Sequence, residues 1–321
     1  MRIFVAGASG ALGRQLQPML VSAGHAVWGL TRTAGKASVI RATGAEPVVA
    51  DALDRRAMMA LVAHVAPDVV VHELTALSSF ANLRRFDRGF AETNRLRTEG
   101  TRILIEAACM AGARRFVAQS FAGWPYARIG GPVKTEEDPL DPNPPRPARH
   151  TLAAIRELEA LTTGAADLEG VVLRYGAFYG PGTSLGEGSR QLTLVRRRLL
   201  PVFGDGGGIW SFIHIEDAAA ATHAAIERAA PGIYNIVDDD PAPVAEWLPA
   251  LAAAIGAKPP YRVPAWLGRL VIGEQGMAMM TRSRGASNAK AKRELGWPPR
   301  FPSWREGFRN GLGGEYARRR R

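Results

Sequence analysis

The sequence predicts an α/β chain organised as a doubly wound parallel sheet with a smaller C-terminal lobe. Three observations carry this expectation. Short apolar or β-branched runs alternate with amphipathic stretches as far as residue 175. A glycine-rich turn follows the first of those runs, and beyond residue 180 glycine and proline breakers loosen the alternation. Such a rhythm is the pattern of βαβ units with helices on both faces of the sheet.

The first strand is expected over residues 3–6 and leads through Gly7-Ala8-Ser9-Gly10-Ala11-Leu12-Gly13 into a helix over 15–23. Further strands are expected over 26–30, 47–50, 68–72, 115–119 and 170–174. Helical spacing over 55–65, 92–111 and 152–162 separates them. The proline-rich stretch 127–149 reads as a long surface loop, and a loop of that length in a compact domain is usually functional. Later breakers are Gly180-Pro181-Gly182, the glycines of 204–208, Pro259-Pro260 and Pro298-Pro299. They suit a lobe built from helices and excursions between late strands.

Composition narrows the function classes. The chain has 321 residues, 46% hydrophobic and 22% charged, which is globular and long enough for two lobes. Its one cysteine, Cys109, excludes an internal disulfide and fits a reducing, cytoplasmic compartment. The opening apolar run breaks at once into glycines, unlike a signal peptide, and no window approaches the roughly 18 apolar residues of a membrane span. The net charge is +11, part of it in Arg196-Arg197-Arg198 and part in the terminal arginines 318–321. These read as a solvated helix face and a solvated tail. No nucleic-acid module with interleaved aromatics accompanies them, so neither nucleic acid nor membrane is an expected partner. The charge is compatible with a phosphorylated or carboxylated small ligand.

Gly7, Gly10 and Gly13 lie between a strand and a helix in the first βαβ unit. Glycine there permits a tight turn and close backbone approach, and the helix N-terminus presents free N–H groups to a pyrophosphate. Ser9, Ala11 and Leu12 complete this dinucleotide-binding turn. At the end of the second strand stand Thr31 and Arg32, where an acid would accept from ribose hydroxyls and repel a 2′-phosphate. A guanidinium favours the phosphate, so NADP(H) is the expected cofactor, with NAD(H) as the alternative. No metal is expected. Residues 1–180 with about 205–240 then form the dinucleotide-binding domain of Rossmann type. Residues 181–204 and 241–312 form the substrate-binding lobe, and 313–321 the basic tail.

With these residues in view, the chain resembles an extended short-chain dehydrogenase/reductase of the NAD(P)-dependent epimerase/dehydratase family. Beside the glycine turn, the likeness rests on Asp51-Ala52-Leu53, Val70-Val71-His72, Arg174-Tyr175-Gly176 and Tyr179-Gly180-Pro181-Gly182. It continues through Phe212-Ile213-His214-Ile215-Glu216-Asp217-Ala218-Ala219 and Lys292-Arg293-Glu294-Leu295-Gly296-Trp297. The resemblance implies adenine-side contacts at Asp51 and Ala52. It implies further cofactor contacts at Leu74, Thr75 and Ala76 after the fourth strand, and at Tyr175 and Gly176 beneath the nicotinamide. Asp217 reads equally as a helix cap and His214 as a satisfied structural histidine.

The family's reductases pair a tyrosine with a lysine four residues later, which lowers the phenol's pKa for proton exchange. None of the six tyrosines here has that lysine. The corresponding stretch reads Pro145-Arg146-Pro147-Ala148-Arg149-His150-Thr151-Leu152, with His150 and Thr151 as candidate replacement acids. Ser120 is the candidate to hold a substrate carbonyl, or else a strand-end residue. Tyr126 could reach the same pocket, or pack with Trp124. Arg97 replaces the asparagine that usually precedes the helix's Gly-Thr pair, here Gly100-Thr101. The expected activity is an atypical, dyad-lacking NADP(H)-dependent ketoreductase acting on an aromatic or polyketide-like small-molecule carbonyl, with the proton supplied by the substrate. A nucleotide-sugar epimerase or dehydratase and a non-catalytic dinucleotide sensor are the alternatives. A homodimer is compatible with all three.

Overall fold

The computed structural model describes residues 1–77 and 83–313; most of the basic tail, residues 314–321, lies outside the described residues. Seven strands form the central sheet: β1 (Arg2–Ala6), β2 (Ala26–Thr31), β3 (Glu46–Val49), β4 (Val69–His72), β5 (Arg115–Phe121), β6 (Glu169–Tyr175) and β7 (Gly232–Ile236). Their order is β7-β6-β5-β4-β1-β2-β3, and every pairing is parallel. From β1 the chain first builds outward through β2 and β3, then returns to place β4 on the other side. The strand order therefore reverses between β1 and β4, and ligands bind at the carboxyl ends of strands beside such a switch point.

Strands covered on both faces read as unbroken apolar runs. Ile3, Phe4, Val5 and Ala6 are all fully buried, as are Val69, Val70 and Val71. Val5 and Val71 pack on one face with Leu16 and Leu20 of α1 (Ala11–Ser22). The other face packs Phe4, Val70 and Phe116 on Met58 and Val62 of α2 (Arg55–Val65) and Leu104 of α3 (Thr101–Met110). Leu158 of α4 (Arg149–Thr163) joins that cluster. Asp54 caps α2, its carboxylate accepting from the Ala57 N–H at 3.0 Å.

The predicted helix over 92–111 is not uniform. A π-helical turn over Leu96–Gly100 precedes α3. Buried His72 sits against it, Nε2 lying 3.2 Å from the Leu96 carbonyl and 3.1 Å from the Thr101 hydroxyl. The Thr101 hydroxyl also donates to the Arg97 carbonyl at 2.6 Å.

A second apolar core lies around Phe212, Trp247, Leu251, Trp304 and Phe308. It packs α6 (Val244–Ala254) and α8 (Trp304–Asn310) beside the sheet, after α5 (Ile215–Arg228) has covered the α1 face. Between α6 and α8 runs α7 (Ala265–Thr281), kinked at Gly273. The stretch 127–149 is anchored more firmly than a surface loop. Val133–Lys134 pairs with Gly285–Ala286, and buried Lys134 donates to Asp138 at 2.9 Å and to the Ile129 carbonyl at 2.7 Å.

Asp217 is not the cap of α5. His214 takes that place, its Nδ1 accepting from the Glu216 N–H. The Asp217 carboxylate instead accepts from the Arg300 and Phe301 N–H groups, at 2.7 and 2.9 Å, and ties down the C-terminal segment.

Candidate active site

The glycine turn is shaped by backbone crowding. Gly7 has φ +99°, and a Cβ there would stand 2.6 Å from the Glu73 carbonyl oxygen. A Cβ on Gly13 would stand 2.5 Å from the Ala8 carbonyl oxygen. Gly10 precedes α1 with no side-chain cap, so the first N–H groups of the helix keep their donors for a ligand. Ser9 and Ala11 are half-buried, whereas Leu12 packs into the core. This crowded, uncapped turn fits a dinucleotide pyrophosphate.

At the end of β2 Thr31 is buried and Arg32, which follows it, is exposed. Arg32 pairs with Glu92 at 2.6 Å, and that contact raises the guanidinium's pKa. Asp51 accepts from the Leu53 N–H at 2.9 Å, and Ala52 is buried in the apolar cluster beneath. After β4, the Leu74 N–H donates to His72 Nδ1 at 3.3 Å and the Ala76 N–H donates to Thr93 at 3.0 Å, while Thr75 is exposed.

Glu73, which sequence reasoning passed over, lies beside Gly7. It is 6% exposed; one carboxylate oxygen accepts from Tyr175 at 3.2 Å and the other is buried without a partner. Burial pushes its pKa up to about 8, against the pull of the Tyr175 hydroxyl. Burial also lowers the His72 pKa to about 4. Tyr175 itself is fully enclosed, its hydroxyl 2.6 Å from that of Thr222. The Tyr175 hydroxyl is thus engaged inside the protein, with Glu73 and Thr222. Gly176 is needed for packing, since a Cβ would meet the Ser211 carbonyl at 2.8 Å.

The four expected catalytic groups do not converge. Ser120 donates to Glu159 at 2.6 Å and is 2% exposed. Glu159 in turn accepts from Arg174 at 2.8 and 2.6 Å. Arg174 donates to the Tyr126 hydroxyl at 3.1 Å, and that hydroxyl donates to Asn235 at 2.5 Å. Ser120 and Tyr126 thus belong to one buried network: a carboxylate–guanidinium pair draws both hydroxyls inward. Burial raises the Tyr126 pKa, although Arg174 opposes the shift. Tyr126 also bridges to Leu140, while Trp124 packs edge-on against Phe86 at 5.1 Å between ring centres.

Thr151 is fully buried, and both its N–H and its hydroxyl donate to Asp87, at 2.8 and 2.7 Å. Asn94 donates to the same hydroxyl at 3.1 Å, and one turn further along α4 stands buried Ile155. The His150 N–H donates to Asp87, while the residue itself is exposed. Asp87 thereby satisfies the N-terminus of α4, and Thr151 is its anchor. None of these hydroxyls has a lysine to lower its pKa. Arg97 is buried nearby with one guanidinium nitrogen unpartnered; burial lowers its pKa to about 10, and Glu159 opposes that.

What stands at the end of β5 is an aromatic cleft. Phe121 is the last residue of that strand, and with Trp124, Ala177, Trp210 and Met279 it lines the opening. Trp210 is fixed by donating to the Met279 carbonyl at 3.0 Å and by packing on Trp247 at 5.1 Å between ring centres. The position next to Ser120 that faces the cleft therefore carries a phenyl ring instead of a hydroxyl. One further cluster of ligand-type atoms among the described residues, His25, His223 and Glu227, is held by an ion pair next to the start of β2. That is the amino end of the parallel strands, whereas the glycine turn follows the carboxyl end of β1.

The profile of the NAD dependent epimerase/dehydratase family matches residues 3–237. The chain belongs to that family. It is 45% identical over 311 residues to a 3-diazoavenalumate denitrifying reductase from a Streptomyces species, covering 96% of this chain and 99% of the relative. It is 29% identical to the 2-alkyl-3-oxoalkanoate reductase of Stenotrophomonas maltophilia, covering 96% and 98%. Among solved structures it is similar to the UDP-glucose 4-epimerase of Thermotoga maritima, with a TM-score of 0.78 at 23% identity and 99% of each chain covered. The same enzyme from Thermus thermophilus, solved with NAD, gives a TM-score of 0.73 at 24% identity, again with 99% of each chain covered. The structural likenesses establish the fold; the family and its named reductases make this chain an NAD(P)-dependent oxidoreductase of the extended short-chain type. No helix among the described residues is long and apolar enough to cross a membrane.

Proposed function

We propose that this chain is an NADPH-dependent reductase of a hydroxylated aromatic small molecule, and that its acceptor carbon needs no proton from the protein. The observation that carries the reading is the aromatic cleft at the end of β5, lined by Phe121, in a chain whose helix α4 carries Thr151 and Ile155 and no tyrosine–lysine pair. A ketone must gain a proton with its hydride, and a positioned acid is typically worth 10²–10⁴-fold in that step. When bound, the nicotinamide supplies a hydride, which in a hydroxy-diazo arene takes the place of departing dinitrogen and leaves the electron pair on the ring oxygen. That reaction balances without an acid. It agrees with the name of the Streptomyces relative, a denitrifying reductase of a diazo compound. The chain's own contribution is then to bind, orient and exclude water: Phe121, Trp124 and Trp210 offer apolar walls to a ring, and the turn from Gly7 to Gly13 holds the dinucleotide.

Arg32 supports NADPH over NADH, because its exposed guanidinium can exchange Glu92 for a 2′-phosphate. A second reading, reduction of an aryl ketone with the proton taken from a neighbouring substrate hydroxyl, is favoured by the oxoalkanoate reductase relative. The test is to supply NADPH with a hydroxy-diazo arene or with the matching aryl ketone. Loss of the reduced nicotinamide absorbance, evolution of dinitrogen and transfer of deuterium from C4-labelled NADPH to the ring carbon are expected with the diazo compound. Turnover of the ketone alone sinks the diazo reading. Binding of NADPH without turnover of either compound favours the sensor.

A further inference from the structure

Beside the aromatic cleft lies a second concavity of opposite character. Arg128, Arg146, Arg149 and Arg282 line it, with Glu274 as the only acid. Arg128 is already neutralised by Asp141, which also sets the shape of the loop through the Asn143 N–H at 2.9 Å. Arg146, Arg149 and Arg282 are exposed and make no side-chain hydrogen bond or ion pair among the described residues. Three unpaired guanidinium groups thus share one basin with one carboxylate.

One chain segment contributes to both the basin and the cleft. Met279 and Ser283 line the cleft, and Arg282, at the C-terminal end of α7, lines the basin between them in the chain. On the far side the Arg128 carbonyl accepts from Arg284 at 3.0 Å, clamping the 127–149 loop to the same segment. A substrate that extends from the cleft along this segment would come to the arginines.

We propose that this basin binds a carboxylate carried by the aromatic substrate, with Arg282 and Arg146 as its principal donors, so that the ring lies in the cleft and the acid in the basin. Guanidinium donors form a planar fork that matches a carboxylate in two parallel hydrogen bonds. The basin's exposure keeps the desolvation cost of the pair low. Opposite charge on one side of an otherwise apolar cleft would also fix which end of a long substrate enters first. This assignment rests on the aromatic-substrate reading above and adds the group that orients the substrate.

The test uses the full chain saturated with NADP⁺ and three probes followed by calorimetric titration: 4-hydroxycinnamate, its methyl ester and UDP. The acid is expected to bind at least tenfold tighter than the ester, about 1.4 kcal/mol. That gap should shrink in high salt, as an exposed charge contact does. In the Arg146→Gln/Arg282→Gln double variant the gap should close while the ester's affinity and the melting temperature stay as they were; both side chains are exposed, so folding is spared. Equal binding of acid and ester in the original protein overturns the carboxylate basin and leaves the aromatic reading standing. Binding of neither overturns both. Tighter binding of UDP than of the acid also overturns both and assigns the arginines to a sugar nucleotide's diphosphate.

Discussion

Replacing Glu159 by glutamine tests whether Ser120, Arg174 and Tyr126 form a structural unit. The Glu159 side chain is 7% exposed and that of Arg174 is 4% exposed, so both charges are withdrawn from water. The carboxylate accepts three hydrogen bonds, one from Ser120 and two from Arg174, and it is the nearest countercharge to buried Arg97. Glutamine keeps the shape but removes the charge, leaving two buried guanidinium groups uncompensated. Breaking one such pair costs about 3–5 kcal/mol. At roughly 2 °C per kcal/mol for a chain of this size, the melting temperature should fall by about 6–10 °C. Urea unfolding should show a lower midpoint with an unchanged slope, since the surface exposed on unfolding is the same. Ser120→Ala is the paired control: it removes one donor and should cost about 1 kcal/mol. Its turnover per folded molecule should stay close to the original, against the loss of about 10²-fold or more expected if the hydroxyl held a reacting oxygen. A loss below about 1 kcal/mol for Glu159→Gln, or a collapse of turnover without a stability change for Ser120→Ala, would refute the reasoning.

Glu73 should leave a signature in the pH dependence of stability. Its folded pKa, raised by burial to about 8, exceeds the ordinary value of 4.5, so its contribution is fully present below pH 4.5 and is lost as pH rises through about 8. Urea midpoints of Glu73→Gln should fall less than those of the original protein between pH 6 and 8; parallel curves would show that Glu73 is ionised in the fold. Gly13→Ala should abolish dinucleotide binding, measured by calorimetry, because the added Cβ would collide with the Ala8 carbonyl at 2.5 Å. Binding at the original affinity would mean that the turn can shift. Arg32→Asp should reverse an NADPH preference of at least tenfold, about 1.4 kcal/mol. Equal affinities for NADPH and NADH in the original protein would remove Arg32 as the selector. His150→Ala should leave both melting temperature and turnover unaltered, since only its backbone N–H is engaged, with Asp87; a sharply defective variant would restore His150 as an acid.

The order of strands and helices was legible because each element depends on neighbours in the chain. Fully apolar runs such as Val69-Val70-Val71 announce strands covered on both faces, and Gly7, Gly10 and Gly13 announce a tight turn, in which a Cβ at Gly7 or Gly13 would collide with backbone. The missing tyrosine and lysine were equally plain, since an absent residue type needs no fold to detect it. β7 was not read as a strand, because Tyr234 and Asn235 interrupt its apolar run; both are buried where Tyr234 meets the Ala230 carbonyl and Asn235 accepts from Tyr126. The roles of hydroxyl groups were beyond the sequence altogether. Whether Ser120 faces a substrate or a carboxylate depends on Glu159 and Arg174, which approach it only when α4 and β6 fold against β5. The sequence by itself determined the parallel-sheet architecture, the glycine-rich turn between β1 and α1 and the absence of the tyrosine–lysine pair, all of which follow from local spacing and residue type. Only the tertiary structure decided that Ser120, Tyr126 and Thr151 are buried anchors and that Phe121, Trp124 and Trp210 share a cleft, because contacts between distant segments set where a side chain points.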